Sequence, residues 1–260
     1  MKTNIQHMKK VFSFILFSLL VTAAFAQTGT WVGVKNVRIE KRNKFCTFLV
    51  KAEYPFIEEH VTSQAIRAWI NEKLGGTYTG DLMDYQKMLE FYAEKAIKEY
   101  SDPDLAACVA DFGPSEVTYE FKRGYETGQI ISYRIGGELY SSGAAHGMPL
   151  ESATTFRKSD GRRFSWEMFT KDGLSRLKPI LVKKLRTDYG DDTFFKVPDA
   201  ADAEFELPAM DPYFDEGGIV FSYAPYEIAP FSYGYIKVTL PLTMVRSMLN
   251  AAGQSFISAL

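Results

Sequence analysis

Two runs of alternating residues, SEVTYEFKRGYE (Ser115–Glu126) and QIISYRIGGELY (Gln129–Tyr140), are joined at the turn Glu126-Thr127-Gly128. In the first run Val117, Tyr119 and Phe121 alternate with polar residues. Runs this long, joined this tightly, pair antiparallel as a hairpin. A second hairpin is expected in ESATTFRKSDGRRFSWEMF around Ser159-Asp160-Gly161, because glycine tolerates the positive φ of a tight turn. Two further strands are expected around the polar turn Lys41 to Lys44. Phe45, Thr47, Leu49 and Cys46, Phe48, Val50 make both sides of the second one apolar enough for double-sided burial, and Pro55 ends it. Near the end, GIVFSYAPY and YIKVTLPL read as strands bracketing EIAPFSYG.

Between these blocks the period changes to that of a helix. Ile66, Trp69, Ile70 and Leu74 share one helical face, with Thr62 or Ser63 as cap and Gly75-Gly76 as terminator. Leu82, Tyr85, Leu89, Tyr92 and Ala96 share another, with Asp81 as the expected cap and Ser101-Asp102-Pro103 as the stop. A third helix ends at Gly190; it either starts near Lys178, with Pro179 in its first turn, or runs from Leu174 and is kinked there. Val197–Gly218 reads as irregular, with room for a short strand at Phe205. A short last helix is capped by Thr243 and faces Val245, Met248 and Leu249 inward. Strands and helices in blocks, with hairpins dominant, predict an α+β fold of antiparallel sheet covered by packed helices. A boundary is expected near Asp111 to Pro114, dividing an N-terminal α+β subdomain, residues 27–113, from a C-terminal α+β domain, residues 114–260.

The first 26 residues have the form of a cleaved export signal: Lys2, Lys9 and Lys10, then the apolar run from Val11, then Ala24-Phe25-Ala26. The apolar run is too short for a stable membrane span. The mature chain is therefore expected to begin at Gln27, to be periplasmic or secreted in a bacterium, and to keep no membrane anchor. Losing three lysines leaves 27 Lys and Arg against 32 Asp and Glu, a net charge of −5. That balance argues against nucleic acid as a partner, which requires a concentrated basic face. Cys46 and Cys108 could form a disulfide in an oxidising compartment, or stay as two small buried thiols. No metal site or cofactor is expected, since only His60 and His146 remain to join two cysteines.

The candidate site residues are His146, Gly143 and Gly147 in YSSGAAHG, and Tyr226 and Glu227 in APYEIAPFSYG. His146 is either a ligand-contacting or general-base imidazole, or the residue that pins a tight turn through its backbone bonds. A catalytic role needs a nucleophile or an orienting carboxylate, and Ser141, Ser142 and Glu151 are its neighbours in sequence. Tyr226-Glu227 either offers an aromatic ring and a carboxylate to a ligand, or belongs to a crossover stiffened by Pro225 and Pro230. Asp211, Asp215 and Glu216 offer carboxylates for glycoside hydrolysis, or are simply solvated beside a Gly-Gly turn. No catalytic residue is assigned.

Three stretches together resemble the RsiV-like family of extracytoplasmic domains: AEYPFIEEHVTSQAIRAWIN, then ISYRIGGELYSSGAAHG with TTFRKSDGRRFSWEMF, then GIVFSYAPYEIAPFSYGYIKVTLPL. That family includes the sensor part of a lysozyme-sensing anti-sigma factor and domains attached to polysaccharide deacetylases. The resemblance implies an α+β fold and a binding role at the cell envelope. It implies a lysozyme-like protein as one partner; peptidoglycan or another cell-wall glycan is the other partner expected. The expectation is a non-enzymatic, exported binding protein. The alternatives are a cell-wall hydrolase using His146 and nearby carboxylates, and an assembly partner with a large exposed apolar patch.

Overall fold

In the computed structural model, strand β1 (Val34–Arg42) turns back at Asn43 into β2 (Cys46–Pro55). The Asn43 side chain makes the bend, its Oδ1 accepting the N–H groups of Phe45 and Cys46 at 2.8 and 2.9 Å. The structure describes residues 31–58, 60–102, 104, 106–190, 205–258 and 260. The expected leader, its cleavage point and the start of the irregular stretch at Val197 lie outside them.

Three helices follow: α1 (Val61–Lys73), α2 (Tyr85–Glu99) and α3 (Ala106–Phe112). They carry the chain back across the sheet, so β3 (Ser115–Glu126) runs parallel to β2. A helical crossover is what a parallel pair requires. Strands β4 (Ile130–Tyr140) and β5 (Met148–Arg157) add antiparallel, completing the five-stranded order β1-β2-β3-β4-β5. The boundary expected between residues 113 and 114 falls in the loop before β3, and β2 and β3 pair across it. After β5 come α4 (Lys171–Tyr189), β6 (Tyr213–Asp215), β7 (Gly218–Tyr223), β8 (Ile236–Leu240), α5 (Leu242–Val245) and α6 (Ala251–Ile257). Strands β6, β7 and β8 form a second, antiparallel sheet. The fold is α+β, with every described pairing antiparallel except β2 with β3.

Each sheet has its own core. Under the first, Phe48, Val50, Tyr54 and Phe121 meet Ile66, Trp69 and Leu89 of the helices. The Trp69 ring takes edge-on contacts from Phe121, Tyr133 and Phe156, a geometry aromatic quadrupoles favour. Under the second, Phe221 and Val238 meet Leu177, Leu181 and Phe256. The sheets are tied by hydrogen bonds at their seam. The Ser132 hydroxyl donates to the Phe214 carbonyl at 2.7 Å, and the Phe214 N–H donates to Thr155 Oγ1 at 2.8 Å.

Several expectations are corrected. Only one side of β2 is fully buried: Cys46, Phe48 and Val50 face the helices, whereas Thr47 and Leu49 are half-buried and Lys51 is exposed. Helix α1 has no side-chain cap, because the Thr62 hydroxyl donates instead to the Lys158 carbonyl at 2.9 Å. Asp84, not Asp81, caps α2, accepting the Lys87 N–H. Helix α4 begins earlier than expected, capped by Thr170, and keeps Pro179 inside it. Pro179 is exposed there, so the carbonyl it strands can meet water. Phe205 lies in no strand, and Thr243 caps nothing: α5 starts after Pro241. The second arm of the Asp160-Gly161 hairpin is reduced to a single bridge, Phe156 with Arg163. Its side chains are drawn away, Phe164 packing into the second core.

Candidate functional site

The YSSGAAHG loop is the connection between β4 and β5, and its conformation follows from its residues. Gly143 adopts φ +84°, a region L side chains rarely occupy. A Cβ there would also stand 3.4 Å from the Cys108 sulfur, so α3 packs directly beneath the loop. The Ser142 N–H donates to Ser115 Oγ at 3.0 Å, fastening the loop to the start of β3. Gly147 needs no positive φ; a Cβ there would overlap the Glu138 carboxylate.

The second loop leaves β7 through Ala224 and Pro225. Tyr226 takes φ +69°, the only described non-glycine residue with positive φ and an outlier for a bulky side chain. Such a residue costs on the order of 1–3 kcal/mol and persists only where its surroundings enforce it. Here they do. The Tyr226 N–H donates to the Ala229 carbonyl at 3.0 Å, and that of Glu227 to the Ala224 carbonyl at 3.1 Å. The Glu227 carboxylate accepts the N–H groups of Ala209 and Ala224, each at 2.7 Å. Both of its oxygens are thus engaged in bracing the chain. Tyr226 is left 57% exposed.

The two loops meet through Phe231. The His146 ring stacks on it, centroids 3.8 Å apart and planes 21° apart, and the centroid of the Tyr226 ring lies 5.7 Å from that of the same phenyl group. His146 itself is exposed, with Nδ1 3.0 Å from the Gly147 carbonyl oxygen. Tyr233, Met148 and Phe112 are also exposed on these loops and their flanks. Sequence reading singled out His146 and Tyr226 but not Phe231, which carries no local signal beyond lying in EIAPFSYG.

Of the groups near His146 in sequence, Glu151 and Ser141 have other partners, and the buried Ser142 hydroxyl has none among the described residues. Glu151 pairs with Lys237, and its N–H donates to the Tyr235 hydroxyl at 3.1 Å. Ser141 bonds to Tyr100, and Ser142 is buried. The Asp211, Asp215 and Glu216 set is likewise dispersed in role. Asp211 accepts the Trp166 N–H at 3.0 Å, Asp215 accepts that of Gly217 at 2.8 Å, and Glu216 faces solvent. Cys46 and Cys108 are both free thiols, and burial pushes that of Cys46 up to about 11. Among the described residues no three His, Cys, Asp or Glu side chains are grouped to hold a metal, and no helix is long and apolar enough to cross a membrane. His146 and Tyr226 line neither of two described cavities, one over β1–β3 and one between the sheets.

Comparison with known proteins places these features in context. Residues 167–243 match the family described as Protein of unknown function (DUF3298). That span includes the Tyr226 loop and Phe231 but stops short of the β4–β5 loop. A solved member of the DUF3298 family from Bacteroides fragilis is similar with a TM-score of 0.70 and 20% identity, over 86% of this chain and 96% of that one. A DUF3298 family protein from Pseudomonas aeruginosa is similar with a TM-score of 0.57 and 14% identity, over 86% of this chain and 97% of that one. At these identities the likeness is one of fold. No curated protein matches the chain.

Proposed function

We propose that this chain is an exported, non-enzymatic envelope protein of the RsiV-like type that binds a protein ligand through its β4–β5 loop and the Tyr226 crossover. The reading rests on one observation above all: His146, Phe231 and Tyr226, from two distant loops, form a single aromatic cluster with His146 and Tyr226 exposed. Exposed aromatics and methionine on rigid loops are the residue types that anchor protein interfaces. The strained Tyr226 is held by Glu227, so its ring is presented with little ordering left to do on binding. Glu138, exposed beside Gly147, and the acidic balance of the mature chain favour a basic partner. A lysozyme-like protein has that character; a cell-wall glycan is the competing ligand, read from stacking on the exposed rings.

The mature chain from Gln27 is passed over immobilised lysozymes and over peptidoglycan fragments. Retention by a lysozyme that falls at least tenfold in Tyr226→Ala and His146→Ala supports the protein reading. Retention by peptidoglycan alone supports the glycan reading, and retention by neither removes both. N-terminal sequencing of the protein recovered outside the cytoplasm checks export, with Gln27 expected first.

A further inference from the structure

A cavity of about 390 Å³ opens between the two sheets, where the β3–β4 turn, the β6–β7 turn and the start of α5 converge. It is separate from the aromatic surface, and nothing in the reading of that surface depends on it. Ligand sites occur preferentially where two packed units meet, with an apolar lining and few polar groups, and start at about 300 Å³. This cavity has that make-up. Tyr125, Pro241 and Leu242 supply apolar walls, and Gln129, Thr243 and Glu216 supply polar groups.

The charge of the lining is one-sided: it contains Asp215 and Glu216 and no lysine or arginine. The two acids differ in what they have left to offer. Asp215 accepts the Gly217 N–H at 2.8 Å and faces Arg134 at 3.8 Å. Lys158, which donates to the Thr127 carbonyl at the rim, is neutralised by Glu126 at 2.7 Å. Glu216 has no ion-pair partner among the described residues, and it stands beside an aromatic and aliphatic wall. We infer that the cavity binds a small organic ammonium, its apolar body against Tyr125, Pro241 and Leu242 and its cationic head at Glu216. Tyr125 presents a π-system that also favours a cation over an anion.

The test uses three probes with one body and different heads: hexylamine, hexanol and hexanoate, titrated calorimetrically into the mature chain. Hexylamine is expected to bind more tightly than hexanol, by up to ~5-fold, about what one partly exposed ion pair supplies, and hexanoate most weakly. Glu216→Gln should erase the preference for the amine over the alcohol while leaving hexanol binding unchanged. Thr243→Phe should fill the cavity and abolish binding of all three. Thermal melts of both variants establish that they are folded, as expected for exposed or rim positions. Equal binding of amine and alcohol, an amine preference that survives Glu216→Gln, or no binding of hexylamine at millimolar concentration would each overturn the assignment.

Discussion

Tyr226 shows how one residue can be poorly suited to its backbone and still be in place. Its φ of +69° suits asparagine or glycine better than tyrosine. If the ring is kept for contact rather than for folding, replacing it should affect the two properties in opposite directions. Tyr226→Asn is expected to raise stability by ~1 kcal/mol, read by urea denaturation, while weakening ligand retention. A variant less stable than the parent would mean that the ring packs for the fold. His146 was visible in the sequence as a residue between two glycines, but its role was not. Its stacking partner is Phe231, which arrives from a different strand connection. Glu227 was visible too, as a carboxylate between two prolines. Only the approach of Ala209 and Ala224 makes it a brace rather than a contact for ligand.

Among the elements, the junction of the β3–β4 turn with the end of β5 and the start of α1 holds a buried ion pair. Lys158 and Glu126 pair at 2.7 Å with side chains only 5% and 8% exposed. Breaking a buried pair leaves one charge uncompensated and costs ~3–5 kcal/mol, whereas replacing both partners with apolar residues is close to neutral. Lys158→Met should therefore be strongly destabilising, and Lys158→Met with Glu126→Leu should recover most of the loss in the same denaturation assay. His60, at the start of α1, has its pKa lowered from the ordinary 6.5, first by burial and then by the charge of Lys158. The unfolded chain then binds the proton more readily than the folded one. Stability is complete above pH 6.5 and falls as the pH drops from there towards the folded-state value. His60→Gln should flatten that part of the stability–pH curve; an unchanged slope would place its origin elsewhere. None of this was legible beforehand, since Lys158 and Glu126 read as ordinary residues next to turns.

Residues Val32–Leu260 form one compact unit in which two cores share a hydrogen-bonded seam at Ser132, Thr155 and Phe214. Because β2 depends on β3 for one of its two neighbours, cutting between residues 113 and 114 should leave neither half folded. Circular dichroism of fragments 27–113 and 114–260, alone and mixed, checks this; a cooperative melt from either fragment alone would show that the halves are independent. The α+β class, both long hairpins and the two large N-terminal helices could be read from residue order. Alternation, helical period, Asp-Gly turns and Gly-Gly stops are properties of neighbours a few positions apart, and backbone sterics act on them directly. Tertiary structure alone decided that β2 and β3 run parallel, that the second arm of the Asp160-Gly161 hairpin gives up its pairing to bury Phe164, and that His146 and Tyr226 converge on Phe231. Those outcomes depend on which distant apolar faces cover each other best, a summed burial energy that leaves no mark on any short stretch of sequence.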